Sequence, residues 1–300
     1  MDASAIPTRP LVAALSEVGH VAPPDLVPAR LQLHHAAQVV AAVGFTFVPA
    51  QDDYGHTTLT WFDAGHLLVG RATPGAHSVR AGLSLPGLSL RVRSASGHTR
   101  ASFDLPGHTL DDAYAWMLDN VVRRTEADAP ADGLVRPAHD LPAHPVAAGE
   151  TFGGVTEPAL SELAGWYGAA HHALSAARAQ LPGASEVTTW PHHFDMATLQ
   201  TLRGAGEDVV SIGLGFSPGD GSIPEPYFYV TPWPYPDADA LPKLPAGRWN
   251  TEGWTGAVLT GRDIVAADDG KARADLLAAF LVAAHDGAHT VLNATKSPTA

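Results

Sequence analysis

The hydrophobic period of this chain changes from three-to-four residues to two and back again, and it does so twice. From Ala29 to Val43 the run ARLQLHHAAQVVAAV places Leu33, Ala36, Ala37, Val40 and Val43 at spacings of three and four, which predicts one helix with a buried face. The next sixty residues alternate instead. HTTLTWF, HLLVGRA, HSVRAGLSL, LSLRVRS and TRASFDL are separated by glycine-bearing turns such as Asp63-Ala64-Gly65, which predicts an antiparallel meander of about five strands. A second helix follows in LDDAYAWMLDNVVRRTE, with Thr109 as N-cap, Asp111 and Asp112 in its first turn and Arg123 and Arg124 in its last.

The same order recurs about 130 residues later. Pro158 to Leu181 reads as a helix with Leu160, Leu163, Tyr167, Ala170 and Leu174 on one face. Strand-like runs follow at 186–190, 194–201, 208–216 and 226–231, then GWTGAVLT and a terminal helix of about twenty residues. These patterns predict an α+β fold of two similar halves, each helix, antiparallel sheet and helix, packed as one compact unit. The expected boundaries are an N-terminal extension with a short helix at 1–28, a first half at 29–125, a linker at 126–150, a second half at 151–292 and a tail at 293–300. Residues 10–18 suit a short amphipathic helix that Pro23, Pro24 and Pro28 then break, and the long helix is expected from Ala29 to about Val43, with Gly44 ending it.

Composition narrows the function classes. An apolar fraction of 45% with 16% charged residues is that of a globular chain with material for a large core. The net charge of −13, with three lysines against fifteen arginines, argues against a nucleic-acid surface. The arginines Arg71, Arg80, Arg91, Arg93 and Arg100 fall at spacings that suit exposed strand faces. Without cysteine, disulfides, thiolate metal sites and thiol nucleophiles are excluded. No run reaches the roughly 18 to 20 apolar residues of a membrane span, and the acidic start carries no secretion signal, so the expectation is no membrane partner and a cytoplasmic location. Sixteen histidines make net charge sensitive to pH near 6.5, so electrophoretic mobility should change between about pH 7 and 6.

The chemically capable residues concentrate between Val187 and Trp233. In Trp190-Pro191-His192-His193-Phe194-Asp195, a strand would put His193 and Asp195 on one face and His192 on the other. A histidine and a carboxylate two apart supply two ligands for a divalent metal, and Asp220 is the chosen third; Glu225, His34, His56 or His171 are alternatives. Ser217-Pro218-Gly219-Asp220-Gly221 is a turn sequence first. Pro218 removes the amide that would furnish half an oxyanion hole, which counts against a serine nucleophile at Ser217. Tyr227 and Tyr229 alternate with Phe228, and with Trp190, Trp233, Trp249 and Trp254 they can wall a pocket.

The candidate ligand-binding set is therefore Trp190, His192, His193, Asp195, Ser217, Asp220, Glu225, Tyr227, Tyr229 and Trp233, with His34 or His56 closing the cleft. His139, Asp140 and His144 also cluster, but in a proline-broken stretch that fixes no geometry alone. Phosphate-loop, dinucleotide and HExxH motifs are missing. The leading function is binding of an unspecified small molecule in an aromatic, His/Asp-lined cleft. The alternatives are a metal-dependent hydrolase using His193, Asp195 and a further carboxylate, and a structural or interaction protein without a site.

Three segments, Trp190 to Asp195, Gly215-Phe216-Ser217-Pro218-Gly219-Asp220 and Glu225-Pro226-Tyr227-Phe228-Tyr229, together resemble an uncharacterised bacterial family, domain of unknown function 5996. Leu33-His34 with Gln38, and the strand opening near His56, are similar to that family's first half. The resemblance spans about residues 30 to 285 and implies that both halves belong to one unit; it brings no established activity. The sequence departs from the family at Asp52-Asp53-Tyr54-Gly55-His56, where a strand rich in histidine and tryptophan is expected.

Overall fold

The helical stretches begin where side chains satisfy their free amides. In the computed structural model, which describes residues 1–294, Thr8 accepts the Leu11 amide and opens α1 (Arg9–Ser16). The chain beyond Ala294, most of the expected tail, lies outside the described residues. The long helix α2 runs Pro23–Phe47, starting six residues before the sequence pattern suggested. Pro23 and Pro24 sit in its first turn, where an amide has no intrahelical partner to lose, and only Pro28 removes a bond. Gly44 does not end it either. A Cβ there would lie 2.4 Å from the His56 carbonyl oxygen, so the glycine is the point where a following loop presses on the helix.

The meander forms as its alternation predicts: β1 (Thr60–Phe62), β2 (Leu67–Val69), β3 (Val79–Ser84), β4 (Ser89–Ser94) and β5 (Thr99–Asp104) lie side by side in chain order, all antiparallel. Next comes α3 (Leu110–Thr125), opened by a reciprocal cap between Thr109 and Asp112, and its buried residues include Met117 and Val121. After a stretch with little regular structure, α4 (Glu157–Arg178) begins the second round.

That round contains β6 (Thr188–Trp190), β7 (Asp195–Arg203), β8 (Val210–Ser217), β9 (Tyr227–Trp233), β10 (Arg248–Asn250) and β11 (Gly256–Thr260). The second sheet is again antiparallel, with β11 inserted beside β9 and β10 outside it. The terminal helix is broken in two. Thr260 and Asp263 cap α5 (Gly261–Val265), and Asp269, accepting the Ala272 amide, opens α6 (Gly270–Ala294).

Contacts divide the chain into two compact units. The first-sheet unit comprises Asp25–Ala164 and Thr188–Phe194; the second-sheet unit comprises Met1–Pro24, Gly165–Val187 and the chain from Asp195 onward. In the first, α2 is buried almost all round, including Gln32, His34, His35 and Gln38, while α3 packs on β3, β4 and β5. In the second, α6 packs on β8, β9 and β11 and receives α1. Phe216, Phe228, Leu214, Val230 and Phe280 are fully buried there. No described helix is long and apolar enough to cross a membrane.

Candidate functional site

The first-sheet unit holds a cleft of about 610 Å³, lined by Phe45, the Asp53–Thr57 segment, Ala138 to Asp140 and the Trp190–His193 segment. Four pieces of chain distant in sequence meet here, each held by identifiable bonds. The first is the end of α2, where Thr46 Oγ1 caps back onto the Ala42 carbonyl and accepts the Val135 amide. The second piece winds into a 3-10 helix, Gly55–Thr57, after Tyr54 takes a left-handed backbone (φ 58°). Asp53 accepts the Gly55 amide, Thr57 donates to the Tyr54 carbonyl, and the His56 Nδ1 accepts the Gln51 amide, which puts the His56 proton on Nε2.

The third piece belongs to the stretch expected to be a linker. His139 Nδ1 meets Gln38 Oε1 at 2.8 Å, and His35 Nε2 donates to the Pro142 carbonyl at 3.1 Å, so two buried side chains of α2 hold it in place. The fourth is the turn after β6. Leu59 and Thr189 exchange both backbone bonds, at 2.9 and 2.8 Å, and so fix Trp190 beside the segment that carries Thr57. Here the structure corrects the strand reading for His192 to Phe194, while Asp195 does open β7. Pro191 cannot donate to a ladder, Phe194 is left-handed (φ 57°), and its amide closes back on the Trp190 carbonyl at 2.7 Å. His192 and His193 are therefore turn residues on the same side, ring centroids 4.3 Å apart, and not partners on opposite strand faces.

The result is an unbroken path of rings: Tyr54 on His56, His56 on Phe45, Phe45 on His139, His139 on His192, and His192 on both Trp190 and His193, with centroids 4.3 to 6.0 Å apart. Beneath it sits a polar anchor. Gln38 Nε2 donates to the Pro191 carbonyl (2.7 Å) and the His34 carbonyl (3.1 Å), and His34 Nε2 donates to the same Pro191 oxygen (3.0 Å) while stacking on Phe194. Because carbonyls only accept, the Gln38 amide orientation is fixed and its oxygen must face His139. His139 therefore carries its proton on Nδ1, and its Nε2 offers a lone pair.

Burial favours the neutral form of His34, His139 and His192. Desolvation lowers His34 to about 4, against the pull of the Pro191 carbonyl. Burial first, then the neighbouring His193 and His139, lower His192 to about 4. His139 is lowered by burial and by His193.

The expected site residues fall into two groups. Trp190, His192 and His193 line the cleft; His56 and His34 are buried behind it and support it. The others belong to the second-sheet unit and are engaged there. The Tyr229 hydroxyl donates to Asp195 at 2.5 Å and the Tyr227 hydroxyl to Asp220 at 2.6 Å. Asp220 also takes the Ser222 and Ile223 amides, Ser217 Oγ accepts the Gly219 amide, and Glu225 accepts the Arg262 amide at the start of α5. Trp233 is exposed and meets Tyr235 edge-on. The metal set His193, Asp195 and Asp220 is not formed: both carboxylates are committed to tyrosines, and among the described residues no three His, Asp or Glu side chains are grouped to hold a metal ion.

Phe45, Asp53, Tyr54, Thr57, Ala138, His139 and Asp140 were not singled out from sequence as ligand-contacting residues. One signal was present, the His139-Asp140 pair in a stretch without period. Comparison with protein-family models, with curated proteins and with solved structures found no match.

Proposed function

We propose that the protein binds a small, flat molecule in the cleft of the first-sheet unit. The observation that carries this reading is the continuous ring-lined wall around a cavity of about 610 Å³, a size within the roughly 300 to 1,000 Å³ of small-molecule pockets. Aromatic and imidazole rings suit a planar body, and the neutral His139 and His192 supply hydrogen-bond groups at the edge. The bonds from α2 to the His139 stretch and to the turn after β6, with the local bonds of the Asp53–Thr57 segment, support a preformed site, since little ordering has to accompany binding.

Thermal denaturation in a panel of planar heteroaromatic compounds tests this. At about one hundred times its Kd, a ligand adds roughly 2.7 kcal/mol of stability, and the unfolding temperature of wild type should rise by several degrees. Trp190→Ala should cancel the rise. A compound that shifts wild type and Trp190→Ala equally binds elsewhere, and a panel containing only such compounds refutes the reading.

A further inference from the structure

We infer that the ligand of this cleft is a cation, an ammonium carried on a flat aromatic body or a heteroaromatic cation. The inference rests on the binding reading above and adds the sign of the charge. Its basis is the chemistry of the lining. Two carboxylates, Asp53 and Asp140, stand in the wall, and among the described lining residues there is no lysine or arginine. Asp53 accepts only an uncharged partner, the Gly55 amide at 2.9 Å, and Asp140 is exposed on its loop. Arg71 donates to the Gly55 carbonyl at 3.1 Å but is not a lining residue, so an anion entering here would meet two carboxylates and no lining lysine or arginine. A cation would meet two attractive groups.

The rings point the same way. Trp190, Tyr54 and Phe45 line the cleft, and aromatic rings attract ammonium and guanidinium groups. The geometry around Gln38 leaves His139 with an unprotonated Nε2, an acceptor suited to an N–H of the ligand. Burial holds His139 and His192 in the neutral form, so neither imidazole opposes a positive ligand near neutral pH. At longer range the net charge of −13 draws cations toward the protein.

Three probes share one ring and differ in charge: tryptamine, indole and indole-3-acetate. Each is titrated calorimetrically into the full chain near neutral pH. Tryptamine should bind at least about tenfold tighter than indole, with indole-3-acetate weakest. Asp140→Asn should erode the tryptamine preference several-fold and leave indole unaffected, and Trp190→Ala should weaken both. The Asp53→Asn/Asp140→Asn pair serves if the single change is silent, with circular dichroism to confirm the fold. Equal binding of indole and tryptamine, tighter binding of indole-3-acetate, or a preference that survives in both carboxylate variants overturns the charge assignment and leaves the cleft reading standing. If tryptamine does not bind wild type at all, the charge assignment is overturned, and the cleft reading is decided by the heteroaromatic panel above.

Discussion

Tyr229 on β9 reaches over Gly215 on β8 and donates its hydroxyl to Asp195 at the start of β7, 2.5 Å away. A Cβ at position 215 would lie 2.2 Å from the tyrosine ring, so the glycine is what lets the phenol lie flat on the sheet. Tyr229→Phe leaves the carboxylate one charge-assisted donor short and should cost about 1.5 to 3 kcal/mol in urea unfolding. With Asp195→Asn in a double-mutant cycle, a coupling of about 1 kcal/mol or more is expected. Strict additivity of the two single changes would show that the pair contributes nothing as a pair.

Three tyrosines set the alkaline limit. Desolvation, with help from Asp195, raises Tyr229 well above 10; desolvation and Asp220 raise Tyr227; desolvation raises Tyr114 to about 12. In the unfolded chain each loses its proton near pH 10, so above that pH the unfolded state binds fewer protons and stability falls as pH rises. Phenolate absorbance of these three should therefore appear together with unfolding, not before it. A smooth titration of all six tyrosines near pH 10 in a still-folded protein would falsify this.

Acid acts through the histidines with the opposite slope. His34 and His192 are held at about 4, and His35, His139, His144 and His285 are also lowered, in every case with burial as the largest cause. Their contribution is complete above the unfolded value of about 6.5 and is lost as pH falls toward 4, because the unfolded chain takes up protons first. The loss from His34 alone is on the order of 3 kcal/mol. Unfolding free energy measured from pH 7 to 4 should fall steadily, and His34→Gln should flatten that fall; an unchanged slope contradicts the assignment. These six of sixteen histidines also make the mobility change between pH 7 and 6 shallower than free imidazoles would give.

Gly44 gives a prediction whose sign runs against helix propensity. Alanine in a helix interior is normally favoured over glycine by about 1 kcal/mol. Here its methyl would sit 2.4 Å from the His56 carbonyl oxygen and 3.2 Å from the Thr57 Cα, both backbone atoms that cannot rotate away. Gly44→Ala should therefore destabilise by about 1 to 3 kcal/mol and displace the Tyr54–Thr57 wall of the cleft. A variant that melts at or above the wild-type temperature would show that the loop yields freely.

The periods of the sequence carried the element order. Alternation over 57–104 became five strands in register, and the 3.6-period runs became α2, α3, α4 and α6. What failed was local. Prolines at 23 and 24 and Gly44 were read as stops, yet two of them cost no bond and the third serves a tertiary contact. His192 to Phe194 were given strand alternation, although Pro191 cannot donate to a ladder, and they form a turn before β7. The acidic and aromatic residues of 217 to 233 looked like a site because turn building and phenol–carboxylate pairing use the same residue types as catalysis. The cleft itself was half legible. Trp190, His192 and His193 stood out, but Tyr54 and His139 enter it on loops, and Phe45 from the last turn of α2, past the Gly44 at which the helix was expected to stop; such placements depend on contacts that no local period encodes.

Gln38 is the residue on which that placement turns. Its amide donates to the Pro191 and His34 carbonyls and accepts from His139, so one side chain joins α2, the turn after β6 and the stretch around Ala138. Gln38→Leu keeps much of the volume but removes all three bonds, at a cost of about 1 to 3 kcal/mol for the polar groups it strands. His34 still donates to the Pro191 oxygen, so the turn should persist while His139 loses the acceptor that fixes its proton on Nδ1. Nitrogen NMR of His139 should accordingly pass from one tautomer in wild type to a mixture in Gln38→Leu. Affinity for any ligand that bonds to His139 Nε2 should drop several-fold, because only part of the population then presents a lone pair. A His139 spectrum unchanged by the substitution would mean that Gln38 supports the cleft by packing alone and does not set its hydrogen-bonding pattern.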